Sequence, residues 1–294
     1  MENKLIVVFC HSRALELDRC ISSLRKARGL NTWKLIVLQQ SGHTKVDRIL
    51  AKHRNIIDTS ISHKPQYDSV LGNINNNRIL GMRIAFHQFN ADYVLGIEED
   101  NLISSDALEF IDFVYTNYHR KRFFRGINLG SLEFGNHIES SGFSLLRSGL
   151  YGSAGVLTRK TWIALEKGGY LDFDFGDPKN PWDAMIEFYL KSGFMVTPNL
   201  SKNLDIGYGG AFSPKNSSHY FFTSNKKSWI QSNRYTNQKY KHIQIPHSMK
   251  KDIITFKRMH SMVYAARNNK FISEATRLVG VKKMISEILI KNHK

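Results

Sequence analysis

The chain has few cysteines, few acids and no long apolar run, and each scarcity excludes something. Its two cysteines, Cys10 and Cys20, are too few for a disulfide framework, and no C-x-x-C or other zinc spacing occurs. Both fall in segments patterned as regular structure, one in a strand and one on a helix face. Buried free thiols in a reducing compartment are therefore expected. No window approaches the roughly 18 apolar residues of a membrane-spanning helix. The first apolar stretch, Leu5 to Cys10, is too short for the core of a signal peptide, so a cytosolic location is expected. A G-x-G-x-x-G fingerprint is absent after the first strand, which argues against a dinucleotide dehydrogenase. There is no internal repeat. Acids number 25 against 42 lysines and arginines, for a formal net charge of +17. That balance favours anionic partners such as phospholipid headgroups, phosphorylated substrates or nucleic acid. The nucleic-acid motifs are missing: no helix-turn-helix, zinc finger or RNP sequence is found.

What is present is enough for a folded core. With 41% hydrophobic and 12% aromatic residues over 294 positions, global disorder is excluded, and one large or two small domains fit. Lys4 to Cys10 reads as a buried strand. The loop His11-Ser12-Arg13 follows, then a helix with Leu17, Cys20, Ile21 and Leu24 at helical spacing, ended by Gly29. Trp33 to Leu38 is a second strand with Gln39-Gln40-Ser41-Gly42-His43 as its exit loop. His43 is expected to cap the next helix, about 45–53, and residues 55–60 form a third short strand. Asn73 to Phe89 reads as helix, and Tyr93 to Ile97 as another buried strand. These repeated β-α units imply a mainly parallel sheet with helices on both faces. Beyond residue 120 the pattern changes. Strands are expected at 126–134, 150–157 and 196–198, with helices at 161–167 and 181–192. Residues 206–218, rich in glycine and serine, read as a mobile loop. From about residue 250 the pattern is that of basic amphipathic helices.

The strand at Tyr93 ends in Glu98-Glu99-Asp100, and Ser104, Ser105 and Asp106 then offer an N-cap to a helix over 107–121. Three adjacent like charges repel unless a cation or hydrogen-bond donors compensate. A strand of this kind delivers its acids to the carboxyl edge of the sheet, where open α/β folds bind ligands. A hard divalent ion holding a diphosphate is one compensation, because Mg²⁺ and Mn²⁺ take carboxylate oxygens plus phosphate. A solvated acidic loop is the other reading of such a triplet. The remaining candidates carry the same ambiguity. Asp183, after Pro181-Trp182, suits a helix first turn as well as a catalytic base. Asp172, Asp174 and Asp177 are its rivals. Arg13 reads equally as a surface arginine, His11 as a polar loop residue, and His219 as a loop residue or a phosphate contact.

Taken in order, these motifs resemble a family. Strand, loop arginine, second strand, Gln-Gln-Ser-Gly-His, helix, acid triplet, glycine-rich strand and Trp-Asp at a helix start look like the GT-A glycosyltransferases. They are most similar to the N-acetylglucosaminyltransferase I type (glycosyltransferase family 13 and bacterial relatives), over roughly residues 4 to 220. The resemblance implies a GT-A fold, a Rossmann-like, mostly parallel sheet flanked by helices. It also implies that Asp100, matching the last acid of the family's Glu-Asp-Asp, coordinates Mn²⁺ or Mg²⁺ and so holds a nucleotide diphosphate. Glu98 and Glu99 match the other two acids, and Arg13 a basic residue that contacts the nucleotide. Asp183 matches the catalytic base, with Trp182 packing near the sugar. The segment 207–218 resembles the family's flexible loop. Two positions depart from the pattern. Glu99 stands where the family has Asp, and Gln40 where it has an Asp that reads uracil, so Gln40 would read the base through an amide. Asn77 falls near a family His that faces the nucleotide.

The expectation is an inverting, metal-dependent glycosyltransferase. Its partners are a nucleotide-sugar donor, a UDP-sugar first, and a glycan or glycolipid acceptor such as a lipopolysaccharide or capsule precursor. Inversion needs one base, and no candidate nucleophile for a retaining route stands out. The expected division is a catalytic domain over 1–225, with a nucleotide half to 120 and an acceptor half from 121, and a basic helical extension over 226–294. That extension suggests an anionic membrane surface as a further partner, on the inner face of a bacterial membrane. The rival readings are a sugar-phosphate nucleotidyltransferase, whose glycine-rich phosphate loop is missing here, and a basic nucleic-acid-binding protein.

Overall fold

The computed structural model describes residues 2–130, 142–147, 149–150, 154–177, 181–207, 240 and 244–245. All but the last two lie in one compact unit, Met1–Ile243; residues 244–245 open a second, Gln244–Lys294. The mobile loop expected over 207–218, apart from Gly207, lies outside the described residues. So do His219 and the basic extension over 226–294, save Tyr240 and 244–245.

The elements run β1 (Lys4–Cys10), α1 (Ala14–Arg25), β2 (Lys34–Gln40), α2 (Thr44–Lys52), β3 (Thr59–His63), α3 (Val70–Arg83) and β4 (Tyr93–Glu98). Then come β5 (Asn101–Ile103), α4 (Ala107–Tyr118), β6 (Phe124–Asn128), β7 (Phe143–Leu146) and β8 (Ala154–Thr158). The described run closes with α5 (Arg159–Lys167), α6 (Trp182–Leu190), β9 (Phe194–Pro198) and β10 (Asn203–Asp205). Eight strands make one sheet in the order β3-β2-β1-β4-β8-β6-β9-β7, and β10 pairs with β5 as a separate ribbon. Strands β1, β2, β3 and β4 are mutually parallel. β8 runs against both β4 and β6, β9 follows β6, and β7 opposes β9. The fold is thus α/β with a mostly parallel central sheet and flanking helices.

Local physics accounts for the first half. β1 is buried along almost its whole length, as a central strand covered on both faces must be. Leu5, Val7 and Phe9 join one core cluster with Ile79 and Met82 of α3, Trp162 and Leu165 of α5, and Ile186 and Leu190 of α6. Alternation sends the intervening residues to the opposite face. There Tyr93 of β4 stacks on Tyr115 of α4, with ring centroids 3.9 Å apart, and donates its hydroxyl to Asp112. Ser69 caps α3 by accepting from the Gly72 N–H. The helix passes into a π turn over Ile84–Gln88 before Asn90, which adopts a positive φ.

Four sequence expectations need correction. Gln39 and Gln40 are not an exit loop: they end β2, paired with Cys10 on one side and Ser62 and His63 on the other. The ladder satisfies their backbone, and their polarity reflects what their side chains face. The third strand is displaced toward the C-terminus, to Thr59–His63. β5, β7 and β10 were missed because each is only 3 or 4 residues long. Asp106 and His43 do occupy N-cap positions, yet neither side chain makes a capping bond. Asp106 is drawn instead to Lys202, 2.6 Å away. The His43 ring packs edge-on against His11 at 5.0 Å.

α3 lies so close to the sheet that Gly81 has no room for a side chain. A Cβ there would stand 2.6 Å from Phe9 Cε1 and 3.1 Å from Val7 Cγ1. Gly81→Ala should therefore lower stability by about 1–3 kcal/mol through overpacking. A shift of the urea midpoint to lower concentration would show it, and an unchanged midpoint would mean the helix has slack.

Candidate functional site

Strands β1, β2 and β3 step outward in one direction, and the chain then returns to place β4 on the other side of β1. The loops leaving β1 and β4 diverge at this reversal and leave a crevice at the carboxyl edge. A cavity of about 530 Å³ opens there, walled by the ends of β1, β2 and β4, by α3, by Asp205 at the end of β10 and by Gly207 beyond it. The expected donor and metal residues Arg13, Gln40, Asn77, Glu98, Glu99 and Asp100 line it. Trp182 and Asp183 do not.

The three acids are compensated in three different ways. Glu99 turns back into the protein. Its carboxylate accepts the N–H groups of His11 at 2.9 Å and of Ser12 and Arg13 at 3.3 Å, and the Cys10 thiol at 3.0 Å. That binds the β1 loop and the entry to α1 to the end of β4. Burial and the adjacent carboxylate push the Cys10 thiol far up, so it stays neutral and donates. Glu98 faces Arg78, whose Nη2 lies 2.6 Å from Glu98 Oε1. Asp100 pairs with Arg13 and accepts from Asn101 Nδ2 at 3.1 Å. Burial first, then the charges of Glu98 and Asp205, raise the Asp100 pKa to about 7 even though Arg13 opposes the shift. Burial also raises Asp205, against the Gly207 N–H that its carboxylate accepts at 2.7 Å. Gly207 sits so tightly that a Cβ would collide with Asp100 Oδ2.

Arg78 is the residue that sequence reading missed. It is 2% exposed, sandwiched between Phe9, 4.3 Å from its ring centroid, and Trp182, at 5.3 Å. Its Nε and Nη2 are buried without an aligned hydrogen bond. A signal for it existed. Asn73, Asn75, Asn76, Asn77 and Arg78 form a polar run inside an otherwise apolar helix, and the last four are buried. A helix that buries such a run is covering a site. Gln40 Oε1 and Asn77 Oδ1, on the cavity wall, are likewise buried without partners. Nothing in the local sequence distinguishes Asp205, which the β5–β10 pairing carries opposite Asn101.

Asp183 lies in the first turn of α6, outside the cavity wall but within electrostatic reach of Arg78 and Glu98. Burial raises its pKa, while helix N–H groups and Arg78 oppose this. Its Oδ1 accepts from the Ala184 N–H at 3.0 Å, so the capping reading from sequence has a basis. Trp182 packs behind Arg78 instead of lining the cavity. Asn75 sets this corner: it accepts the Trp182 N–H at 2.9 Å and donates to the Phe175 carbonyl at 3.1 Å. The rivals Asp172, Asp174 and Asp177 do not line the cavity. His11 does, and burial lowers its pKa.

Five carboxylates (Asp68, Glu98, Glu99, Asp100, Asp205) line the cavity against two guanidiniums. No group of three or more His, Cys, Asp or Glu among the described residues is placed to hold a metal by itself. A cation there would be held by one or two carboxylates and completed by phosphate and water, the habit of Mg²⁺.

No known family profile matches the chain, and no curated protein matches it. Among solved structures it superposes on S. aureus TarS with a TM-score of 0.48 at 11% identity, covering 88% of this chain and 43% of that one. It thus spans less than half of that chain. TarS 1–349 in complex with UDP gives a TM-score of 0.48 at 11% identity, covering 93% of this chain and 77% of that one.

Proposed function

We propose that the chain is an inverting, metal-dependent glycosyltransferase of GT-A architecture. It moves a sugar from a nucleotide-sugar donor, a UDP-sugar first, to a glycan or glycolipid acceptor. One observation carries this reading. At the crevice where strand order reverses, an acid cluster with partly uncompensated charge shares a cavity with two arginines. A diphosphate alone would be repelled by so many carboxylates, and a cation alone would leave the guanidiniums unused. Together they satisfy both.

In this reading Asp100, with Asp205 beside it, would hold Mn²⁺ or Mg²⁺. The ion would act as a Lewis acid that neutralises the leaving diphosphate. Arg13 exchanges its carboxylate for donor phosphate oxygens, and Arg78 holds Glu98 in place on the cavity wall. Gln40 and Asn77 contact the nucleoside through amide atoms that lack protein partners. Glu99 reaches the donor indirectly, by fixing the loop that carries Arg13. Asp183 takes the proton from the acceptor hydroxyl, and Trp182 holds it there by anchoring the start of α6. A carboxylate whose pKa is raised by burial is the better base near neutral pH. An anionic membrane face as the place of work belongs to this proposal too; no described helix is long and apolar enough to cross a membrane.

A screen of UDP-, GDP-, CMP- and dTDP-sugars with Mn²⁺ tests the whole reading. Hydrolysis or transfer from one of them is expected, and silence across the panel would remove it. Asp183→Asn should cut turnover by roughly 10²–10⁴ while sparing donor affinity; near-normal turnover would reassign the base. Asp100 loses its proton as the pH rises through about 7. Only the ionised form binds a cation, so Mn²⁺ affinity should climb about fivefold between pH 6 and pH 7, roughly twofold more by pH 8, and flatten above. Titration calorimetry at fixed ionic strength reads it, and a flat profile contradicts the assignment.

A further inference from the structure

Lys202 and Asp106 are each 1% exposed or less and meet at 2.6 Å; remote from each other in sequence, Asp106 follows Asp100 and Lys202 precedes Asp205 of the cavity wall by a few residues. Asp106 is saturated. One oxygen accepts the Ser104 hydroxyl at 2.6 Å; the other accepts Lys202 Nζ and, at 2.8 Å, the Tyr240 hydroxyl. The Tyr240 ring packs on α4, 5.1 Å from Phe110 and 5.4 Å from Phe113, and Lys202 Nζ lies 5.6 Å from its centroid.

A buried ion pair of this kind gives little net stability, because desolvation consumes the Coulombic gain; an apolar pair would hold the fold as well. What it supplies is position. Lys202 immediately precedes β10, and its backbone is tied on both sides: its N–H donates to the Leu129 carbonyl at 2.7 Å and its carbonyl accepts the Ser104 N–H at 2.8 Å. Asn203 donates to Asn101 at 2.9 Å. β10 is 3 residues long and, among the described residues, pairs only with the equally short β5. So short a ribbon does not hold its own register. Its far end is the site: Ile206 donates to the Asp100 carbonyl at 2.8 Å, and Asp205 and Gly207 wall the cavity.

We propose that the Lys202–Asp106 pair, completed by Tyr240, is a positioning clamp that sets where Asp205 and Gly207 stand against Asp100. The chain at residue 240 is thereby a working part of the donor site. Lys202, Asp106 and Tyr240 are positioning residues and touch no substrate. The donor-side consequence rests on the glycosyltransferase reading; the placement of β10 does not.

The test uses the full chain with Tyr240→Phe, which removes one hydroxyl, and Lys202→Met/Asp106→Asn, which removes both charges together and leaves no buried ion unpaired. Hydrogen exchange is followed for the amides of 203–207 and, as a control for global stability, of β1. Binding of UDP with Mn²⁺ is measured in parallel. Exchange at 203–207 should quicken on the order of tenfold in both variants with β1 unchanged, and UDP affinity should fall several-fold. Equal exchange at 203–207 in the folded double variant overturns the clamp, as does a rate increase shared by β1. If the parent protein fails to bind UDP or any other nucleoside diphosphate, the donor-site reading fails, while the exchange comparison still decides the clamp.

Discussion

Negative charge gathered at the exit of β4 is the constraint around which the rest of this region is organised. Such charge cannot be buried without compensation. The protein meets the demand with backbone N–H groups for Glu99 and guanidiniums for Glu98 and Asp100. Each solution recruits a different element. Glu99 takes the β1 loop, Glu98 takes α3 through Arg78, and Asp100 takes the start of α1 through Arg13. The charge therefore determines which loops converge here, and Asp100 is left with a burden that two arginines do not remove.

Helix α3 is the mechanical centre of the arrangement. One side presses on β1 so closely that Gly81 has no spare space. Asn75 reaches from it to the first residue of α6 and to the segment at Phe175, and Arg78 stacks between the sheet and Trp182. A single helix thus fixes both the cavity floor and the place of Asp183. Its polar residues add to the apolar core through which the first and second halves of the compact unit meet.

What was legible in the sequence followed from periodicity. The strands at 4–10 and 93–98 and the helices at 14–25 and 107–118 carry strong apolar patterns, and the acids at the end of β4 announced themselves by interrupting one. The carboxyl-edge site followed from the same pattern, whereas Arg13 and Gln40, which line its wall, came only from the family resemblance. What escaped depends on long-range pairing. β5 and β10 are too short for any period to show, so nothing marked Asp205 as a candidate. β8 enters between β4 and β6 against their direction, an order no local signal encodes. Arg78 was hidden by the habit of reading polar residues in a helix as its wet face. The N-cap at Asp106 was read correctly as a position but not as a partner, because Lys202 is remote in sequence.

Both thiols are shut inside the protein, Cys10 against Glu99 and Cys20 on the buried face of α1, and neither ionises readily. Alkylating and oxidising reagents act on the thiolate and need access to it. Neither cysteine accordingly offers such reagents an accessible thiolate while the protein is folded. Modification of either sulfur is a record that the sheet has come apart, which makes the native pair a label-free clock for opening of the molecule.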